Sequence, residues 1–464
     1  MYFRYVVRTS SALLGVLLAV LVSATMAQAS WPQLGVSQSY RNFGWDEAVH
    51  PGEYKASEDI TASESWSPLQ ISRLRVIVPW DIAGRPPTDG RRIEFEHWLA
   101  RVHTLGAEPY VVFGPSEKSP TSSDEMHGGS PHWKNVPTRL TSNPAYNVSV
   151  AESDPRYDPH KEALVAPTPA AYKAAVADFL ATWGAGVPGG GVEDIGAWNE
   201  PNVATVNMSI PGGISGPVFL PGGKETKMTA VDCENGTASG WKYYCGKCPS
   251  ASEANETNCG PMEAAWMWRE AVVDMAVACG GFGTNECVVV AGEFDSSPAH
   301  TTSTGTWKYW NTYANKIVKI GGGVSPAIIS FHAHRDAEPL GANGSSDCSP
   351  SALSWCVTYT FRQWLNGYTG WAALPEVWNT ETGAQHAGGS YSSNADTEQN
   401  HRFSQLISIS EENNIKRLYY FNFLSHAAEN SPSDRGWIKT GENVNAAKRS
   451  IWTTIKCRPA MPAC

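Results

Sequence analysis

One alternation constrains this chain more than any other feature: short apolar runs separated by stretches of helical periodicity. Runs of strand length fall at 34–39, 74–78, 108–113, 194–198, 288–292, 327–331, 376–379 and 417–423. Helical patterns fall at 92–105, 169–183, 262–278, 306–320, 352–365, 397–412 and 444–455. Thr168 and Pro169 mark one helix start. A hydroxyl can cap a free amide there, and proline in the first turn has no amide to leave unsatisfied. Strands alternating with helices pack as parallel β/α units, and eight such strands are the number that closes a barrel. The predicted fold is α/β, a single (β/α)8 TIM barrel. No repeat of 20–50 residues is visible, which argues against a solenoid or propeller.

Two long stretches interrupt the pattern, 114–166 after the third strand and 203–260 after the fourth. Loops that follow strands lie on the C-terminal face of a barrel, where active sites of this fold are built. Loops of this length are more often functional than ornamental. The plainer alternative is surface decoration stapled by disulfides.

At the N-terminus, Arg4 and Arg8 precede an apolar run over 12–22, and Ala27-Gln28-Ala29 follows. Basic, apolar, then A-x-A is the layout of a signal peptide, with cleavage expected after Ala29. The run is short for a permanent anchor, although a membrane-held N-terminus is the alternative. Residues 30–464 are then expected to form one exported, monomeric catalytic domain, extracellular or periplasmic, free of the membrane after cleavage. All 10 cysteines lie beyond residue 232. An even number in an exported chain reads as disulfides. Cys279/Cys287, Cys348/Cys356 and Cys457/Cys464 would each close a short loop. Cys233, Cys245, Cys248 and Cys259 allow three pairings, and Cys245-Gly-Lys-Cys248 also admits a zinc reading. Sequons stand at Asn147, Asn207, Asn235, Asn255 and Asn343.

A formal net charge of −10 argues against nucleic acid and against a polybasic membrane surface. The 19 tryptophans point towards carbohydrate, because a flat indole stacks on the apolar face of a sugar ring, although many will be core. Trp80, Trp133 and Trp378 are candidate platforms, each equally placed to be core or rim packing. P-loop, Rossmann, H-E-x-x-H and G-x-S-x-G signatures are missing, and no cofactor is expected.

The strongest chemical signal is Gly196-Ala197-Trp198-Asn199-Glu200-Pro201-Asn202. An apolar strand ends in Asn-Glu, and Pro201 stops it, leaving a carboxylate at the barrel mouth. Val377-Trp378-Asn379-Thr380-Glu381-Thr382-Gly383 ends another strand in a glutamate. Strands four and seven face each other across an eight-strand mouth. Retaining glycosidases need two carboxyl groups about 5–5.5 Å apart, one to donate and accept a proton and one to attack the anomeric carbon. Either glutamate could instead be a structural ion-pair partner. Glu293, in Ala291-Gly292-Glu293-Phe294-Asp295, is the competing nucleophile, or else it lines a subsite or pairs with an arginine. His332 and His334 share a strand face; they read as sugar-contacting or nucleophile-orienting, with zinc as the alternative. His127 and His132, in the loop after strand three, are positional candidates for a roof over the cleft.

Trp198-Asn199-Glu200-Pro201-Asn202 resembles the acid/base motif of clan A glycoside hydrolases, and WNEPN is most similar to family 39. The resemblance implies a (β/α)8 barrel and a retaining double displacement. It implies Glu200 as acid/base, Asn199 as the ligand of the sugar 2-hydroxyl and Glu381 as nucleophile. Phe331-His332-Ala333-His334 is similar to the clan's His-x-Tyr position, with His334 in place of tyrosine, and Arg75 to its strand-two arginine, which positions the nucleophile. Tyr420-Phe421-Asn422-Phe423 departs from the clan, which often has a tryptophan platform there. The cysteine-rich insertion is not a general clan feature.

The expected function is hydrolysis of O-glycosidic linkages, β by resemblance, in an oligo- or polysaccharide. The acid/base role requires activity that falls on both sides of a pH optimum. A carbohydrate-binding barrel without catalysis, a transglycosylase with the same residues, and a metal-dependent hydrolase built on His332 and His334 are the rivals.

Overall fold

The computed structural model describes residues 31–37, 66–114, 169–201, 218–219, 225–226, 259–279, 287–295, 306–320, 325–337, 348, 356–384, 393–421, 436–437 and 448–458. The signal-peptide segment, most of both insertions, His127, His132, Trp133 and the sequons lie outside them.

Eight parallel strands close into a barrel: β1 (Gln33–Ser37), β2 (Arg73–Pro79), β3 (Glu108–Gly114), β4 (Asp194–Gly196), β5 (Val288–Phe294), β6 (Ile328–His332), β7 (Glu376–Thr382) and β8 (Ile415–Tyr420). Each pairs with its neighbours in chain order, and β8 pairs back to β1. Among the described residues, seven α-helices accompany them: α1 (Gly90–Thr104), α2 (Pro169–Trp183), α3 (Cys259–Ala278), α4 (Thr306–Ile320), α5 (Val357–Gly367), α6 (Ser393–Glu412) and α7 (Ser450–Lys456). The predicted (β/α)8 class is the observed one. Within the second insertion, Val218–Phe219 and Glu225–Thr226 pair as a small antiparallel hairpin. Cys279–Cys287 and Cys348–Cys356 are disulfide-bonded, as their spacing predicts, and Cys457 is also bonded.

A barrel strand is covered on both faces, so it reads as a continuous apolar run. β3, EPYVVFG, is buried throughout after Glu108. Alternate residues then serve two cores. Tyr110, Val112, Val290, Ile328, Trp378 and Tyr419 fill the barrel. Val111, Phe113, Ala291, Phe294, Ile329 and Phe331 face the helices. Phe294 meets Tyr313 edge-on at 5.1 Å, and Phe331 stacks on Phe361 at 4.5 Å, so α4 and α5 seal the barrel through aromatic contacts.

Helix starts follow from capping. The Asp89 side chain accepts from Arg91 N at 2.9 Å. The start expected at 352 lies outside the described residues; α5 begins at Val357 after an extended Cys356, where buried Asp336 accepts from the amides of Val357 and Thr358 at 2.6 and 2.8 Å. Its first turn is thereby fixed beside the Cys348–Cys356 bond. β4 stops at Gly196, shorter than the apolar run, whereas β5 and β7 run on to Phe294 and Thr382. Both extensions contain register shifts. Ala291 pairs with Ile329 but Phe294 with Phe331, and Phe331 pairs with Asn379 but His332 with Glu381. An extra residue in each strand reverses the alternation beyond it. Val290 faces inward and Ala291 outward, so strict alternation would turn Glu293 outward; the shift turns it in.

Candidate active site

The site lies at the C-terminal ends of the strands, in two layers. Below, the side chains of Arg75, Glu293 and His332 are 0% exposed. Above them, Glu200, His334 and Glu381 retain 19%, 18% and 11% side-chain exposure. Only the upper three reach the mouth.

Arg75 enters from β2. Its Nη1 donates to Ser37 Oγ and Glu381 Oε2, both at 2.8 Å. Its Nη2 donates to Asn199 Oδ1 at 2.7 Å and to Glu293 Oε2 at 2.5 Å. A planar guanidinium suits this task, since its fork addresses several acceptors at once. Burial would lower its pKa, but the Glu293 and Glu381 charges outweigh that and raise it.

Glu200 follows Asn199 where the chain leaves β4. Asn199 N donates to Phe113 O at 2.8 Å and Glu200 N to Glu293 O at 2.9 Å. Tyr172 donates to Ala197 O at 2.5 Å, and Tyr309 to Pro201 O at 3.0 Å. The segment is thus tied to both neighbouring strands and to helices α2 and α4. These anchors hold Glu200 at a φ of 47°, a left-handed conformation that costs a non-glycine residue about 1–2 kcal/mol.

His332 ends β6 beneath Glu200. Its Nδ1 lies 2.9 Å from Glu200 Oε1 and its Nε2 3.1 Å from Glu293 Oε2. Burial alone would depress its pKa, but the hydrogen bonds to Glu200 and Glu293 push it up to about 10. It is an imidazolium at neutral pH, and both ring nitrogens donate. His334 Nε2 lies 3.3 Å from Glu381 Oε1. Burial would raise the Glu381 carboxyl. The His332 charge, the His334 hydrogen bond and the Arg75 guanidinium hold it well below the usual range. Glu381 is therefore a carboxylate with a donor on each oxygen.

One carboxylate oxygen of Glu200 and one of Glu381 lie within 4.8 Å of each other, as do ring nitrogens of His332 and His334. Four such atoms could in principle hold a metal. Against that, the Arg75 guanidinium lies directly beneath and donates to Glu381, so a fixed positive charge opposes a cation.

Glu200, Asn199, Arg75, Glu293, His332, His334 and Glu381 come together in this one cluster. Trp80 and Trp378 do not. Trp80 is 3% exposed and packs in the core outside the barrel. Trp378 is wholly buried inside the barrel, with Tyr110 edge-on at 5.8 Å and the Arg417 guanidinium 3.8 Å from its ring centre. Neither presents an open face for a sugar; both belong to the core alternative. Glu293 is likewise shielded from a ligand, and it pairs with an arginine, the third of its readings.

Besides Ser37, which accepts from Arg75, two partners of Glu293 were not singled out from sequence. Tyr110 and Ser330 both donate to Glu293 Oε1, the serine at 2.9 Å. Burial and the adjacent Glu293 charge push the Tyr110 hydroxyl well up, so it stays a donor. Their signal was an inward register: each stands two residues from an interior position, Val112 and Ile328. A Cβ on Gly196 would sit 2.8 Å from Tyr110 Oη, so glycine leaves room for that reach.

No family model and no curated protein matches the chain. Among solved structures, it is similar to a family 1 β-glucosidase from Thermotoga maritima at 12% identity, over 92% of this chain and 96% of that one, with a TM-score of 0.44. It is similar to a virulence factor from Agrobacterium tumefaciens at 10% identity, with the same coverage and a TM-score of 0.45. An exo-β-1,4-mannosidase from Opitutaceae bacterium strain TAV5 is 10% identical, over 92% of this chain and 59% of that one, with a TM-score of 0.45. The barrel assignment rests on this chain's own strand pairing, and the chemistry of the site on its own side chains.

Proposed function

We propose that the protein is an exported retaining glycoside hydrolase of clan A type, with a family 39-like acid/base segment, acting on β-linked oligo- or polysaccharides. One observation carries this reading: the Glu200 and Glu381 carboxylates approach within 4.8 Å at the open end of the barrel. A nearest-oxygen approach that short is on the side of a double displacement, whose carboxyl groups stand about 5–5.5 Å apart, and away from the about 6.5–9.5 Å of an inverting enzyme.

In the first step Glu381 attacks the anomeric carbon. The bond from that carbon to the leaving oxygen breaks, and the Glu200 proton passes to that oxygen. Glu381 is suited to attack because it is ionised and held from both sides. In the second step water replaces it, giving its proton to Glu200 and freeing the Glu381 carboxylate. Asn199, held by Arg75, is placed for a sugar hydroxyl beside the anomeric carbon.

The test is a screen of β-linked polysaccharides and 4-nitrophenyl glycosides with the wild type, Glu200→Gln and Glu381→Gln. Both variants should stay folded and lose at least about 10²-fold in kcat. Azide should restore turnover to Glu200→Ala on an activated aryl glycoside as the β-glycosyl azide. Activity retained by Glu381→Gln would remove the pair; polysaccharide binding without cleavage would favour the binding barrel. The cluster of two histidines and two glutamates keeps a metal-dependent hydrolase as second reading, and full activity after exhaustive chelation would exclude it.

A further inference from the structure

We propose that Glu293 is a positioning residue for the catalytic pair: its buried carboxylate holds the His332 ring against Glu200, and the Arg75 guanidinium so that it donates to Glu381. The proposal rests on the reading of Glu200 and Glu381 given above.

Glu293 cannot touch a sugar, because its side chain is 0% exposed. Its two oxygens nevertheless receive four donors. Tyr110 Oη and Ser330 Oγ address Oε1, and Arg75 Nη2 and His332 Nε2 address Oε2. Arg75 Nη2 and His332 Nε2 lie only 3.3 Å apart. Glu293 Oε2 lies against both nitrogens and holds them together; when the ring carries its second proton, it is also the anion that keeps two cationic donors from repelling. Each cation then reaches one member of the catalytic pair, His332 Nδ1 to Glu200 Oε1 at 2.9 Å and Arg75 Nη1 to Glu381 Oε2 at 2.8 Å. The backbone carbonyl of Glu293 also accepts from Glu200 N. One residue thus touches the supports of both glutamates.

The backbone is bent to achieve this. Gly292 has a φ of 97° and Glu293 a φ of 57°, consecutive left-handed residues at the register shift in β5. A Cβ on Gly292 would lie 2.4 Å from Ser330 O. Backbone strain that turns a carboxylate into a barrel, under two other carboxylates, is not what stability alone selects. Buried ion pairs are often no better for folding than apolar side chains of the same volume.

An imidazolium beneath Glu200 stabilises the carboxylate that Glu200 becomes as it gives up its proton. His332 is faced by Glu293 from β5, Glu200 from the segment after β4, Arg75 from β2, Glu381 from β7 and His334 from the 3-10 turn that follows β6. Glu293 stays ionised among these groups: burial would raise its pKa, but Arg75 and His332 hold it down at about 2. Without this fixed charge, His332 loses one of the two hydrogen bonds that raise its pKa.

The experiment compares wild type, Glu293→Gln and Glu293→Asp by pH–rate profiles and by 15N NMR of labelled histidine, with the His332 signal assigned through His332→Gln. Rates are taken on a 4-nitrophenyl β-glycoside that the wild type cleaves and on its 2,4-dinitrophenyl counterpart, whose departure needs little acid assistance. In the wild type, His332 should be an imidazolium at pH 8. In Glu293→Gln it should be neutral there. The basic limb of kcat should move at least about one pH unit towards alkali, since the carboxylate left by proton donation has lost the cation beneath it. kcat on the 4-nitrophenyl substrate should fall about 10²-fold at pH 8, with KM within about threefold and a smaller loss on the dinitrophenyl substrate. Glu293→Asp, which keeps the charge, should keep the imidazolium and the limb even if it is slower. A neutral His332 in the wild type at pH 8 overturns the proposal without any variant, as does a Glu293→Gln protein with an unmoved limb or a still-charged His332. Where Glu200→Gln and Glu381→Gln are inactive but Glu293→Gln is unchanged, Glu293 alone fails. Where the first two remain active, the catalytic pair itself fails.

Discussion

Arg75 and Glu381, 306 positions apart in the chain, meet at 2.8 Å inside the barrel. The same guanidinium binds Glu293 and Asn199, so one buried cation joins β2, β5, β7 and the segment that follows β4.

Removing that cation should be costly. Arg75→Met leaves Glu293 and Glu381 buried without their counter-charge, and loss of one partner from a buried pair costs about 3–5 kcal/mol. Urea denaturation should show it. Arg75→Lys keeps a charge but not the fork, so it should fold and still lose at least about tenfold in kcat. A wild-type rate in the lysine variant would mean that the fork geometry is irrelevant.

Stability should fall at both ends of the pH scale, for opposite reasons. His332 has its pKa raised from 6.5 to about 10, so its contribution is full below 6.5 and lost as pH rises through about 10. Glu293 is lowered from 4.5 to about 2, so its contribution is present above 4.5 and lost as pH falls through about 2. The thermal midpoint should therefore be highest between roughly pH 4.5 and 6.5. His332→Gln should flatten the alkaline slope and weaken the acid one, because His332 helps hold the Glu293 carboxyl down; an alkaline slope unchanged by that substitution would assign it elsewhere.

Gly292→Ala should destabilise the fold and disturb the site together. The new methyl meets Ser330 O at 2.4 Å, and the φ of 97° suits only glycine. We expect a loss of at least about 1–3 kcal/mol, read by denaturation, and a larger fall in kcat than in substrate affinity, since Glu293 moves with the bulge.

Trp378→Ala should reduce stability by about 3–5 kcal/mol, as expected for a large core side chain, with KM in the folded protein unchanged. A raised KM with stability intact would return Trp378 to the role of sugar platform.

The amino-acid sequence by itself determined the barrel, since the eight-fold alternation of apolar strand and helix leaves few other ways to bury those surfaces. Helices Pro169–Trp183 and Thr306–Ile320 were legible to the residue because a proline start and a strong apolar periodicity are local signals. Asn199-Glu200-Pro201 and Glu381 were legible as candidates, because a carboxylate at a strand end stands out in an apolar context. Tertiary structure alone decided which glutamate is buried and which is open. That outcome depends on one extra residue in β5 and one in β7, which invert the inward and outward faces and leave no mark in an alternation read along the chain. It decided equally that Trp378 fills the barrel, because a tryptophan two residues before Thr380 reads the same in sequence whether its ring meets a sugar or Tyr110. The charge states of His332 and Glu293 likewise come from partners on other strands, brought within hydrogen-bond distance only when the sheet closes.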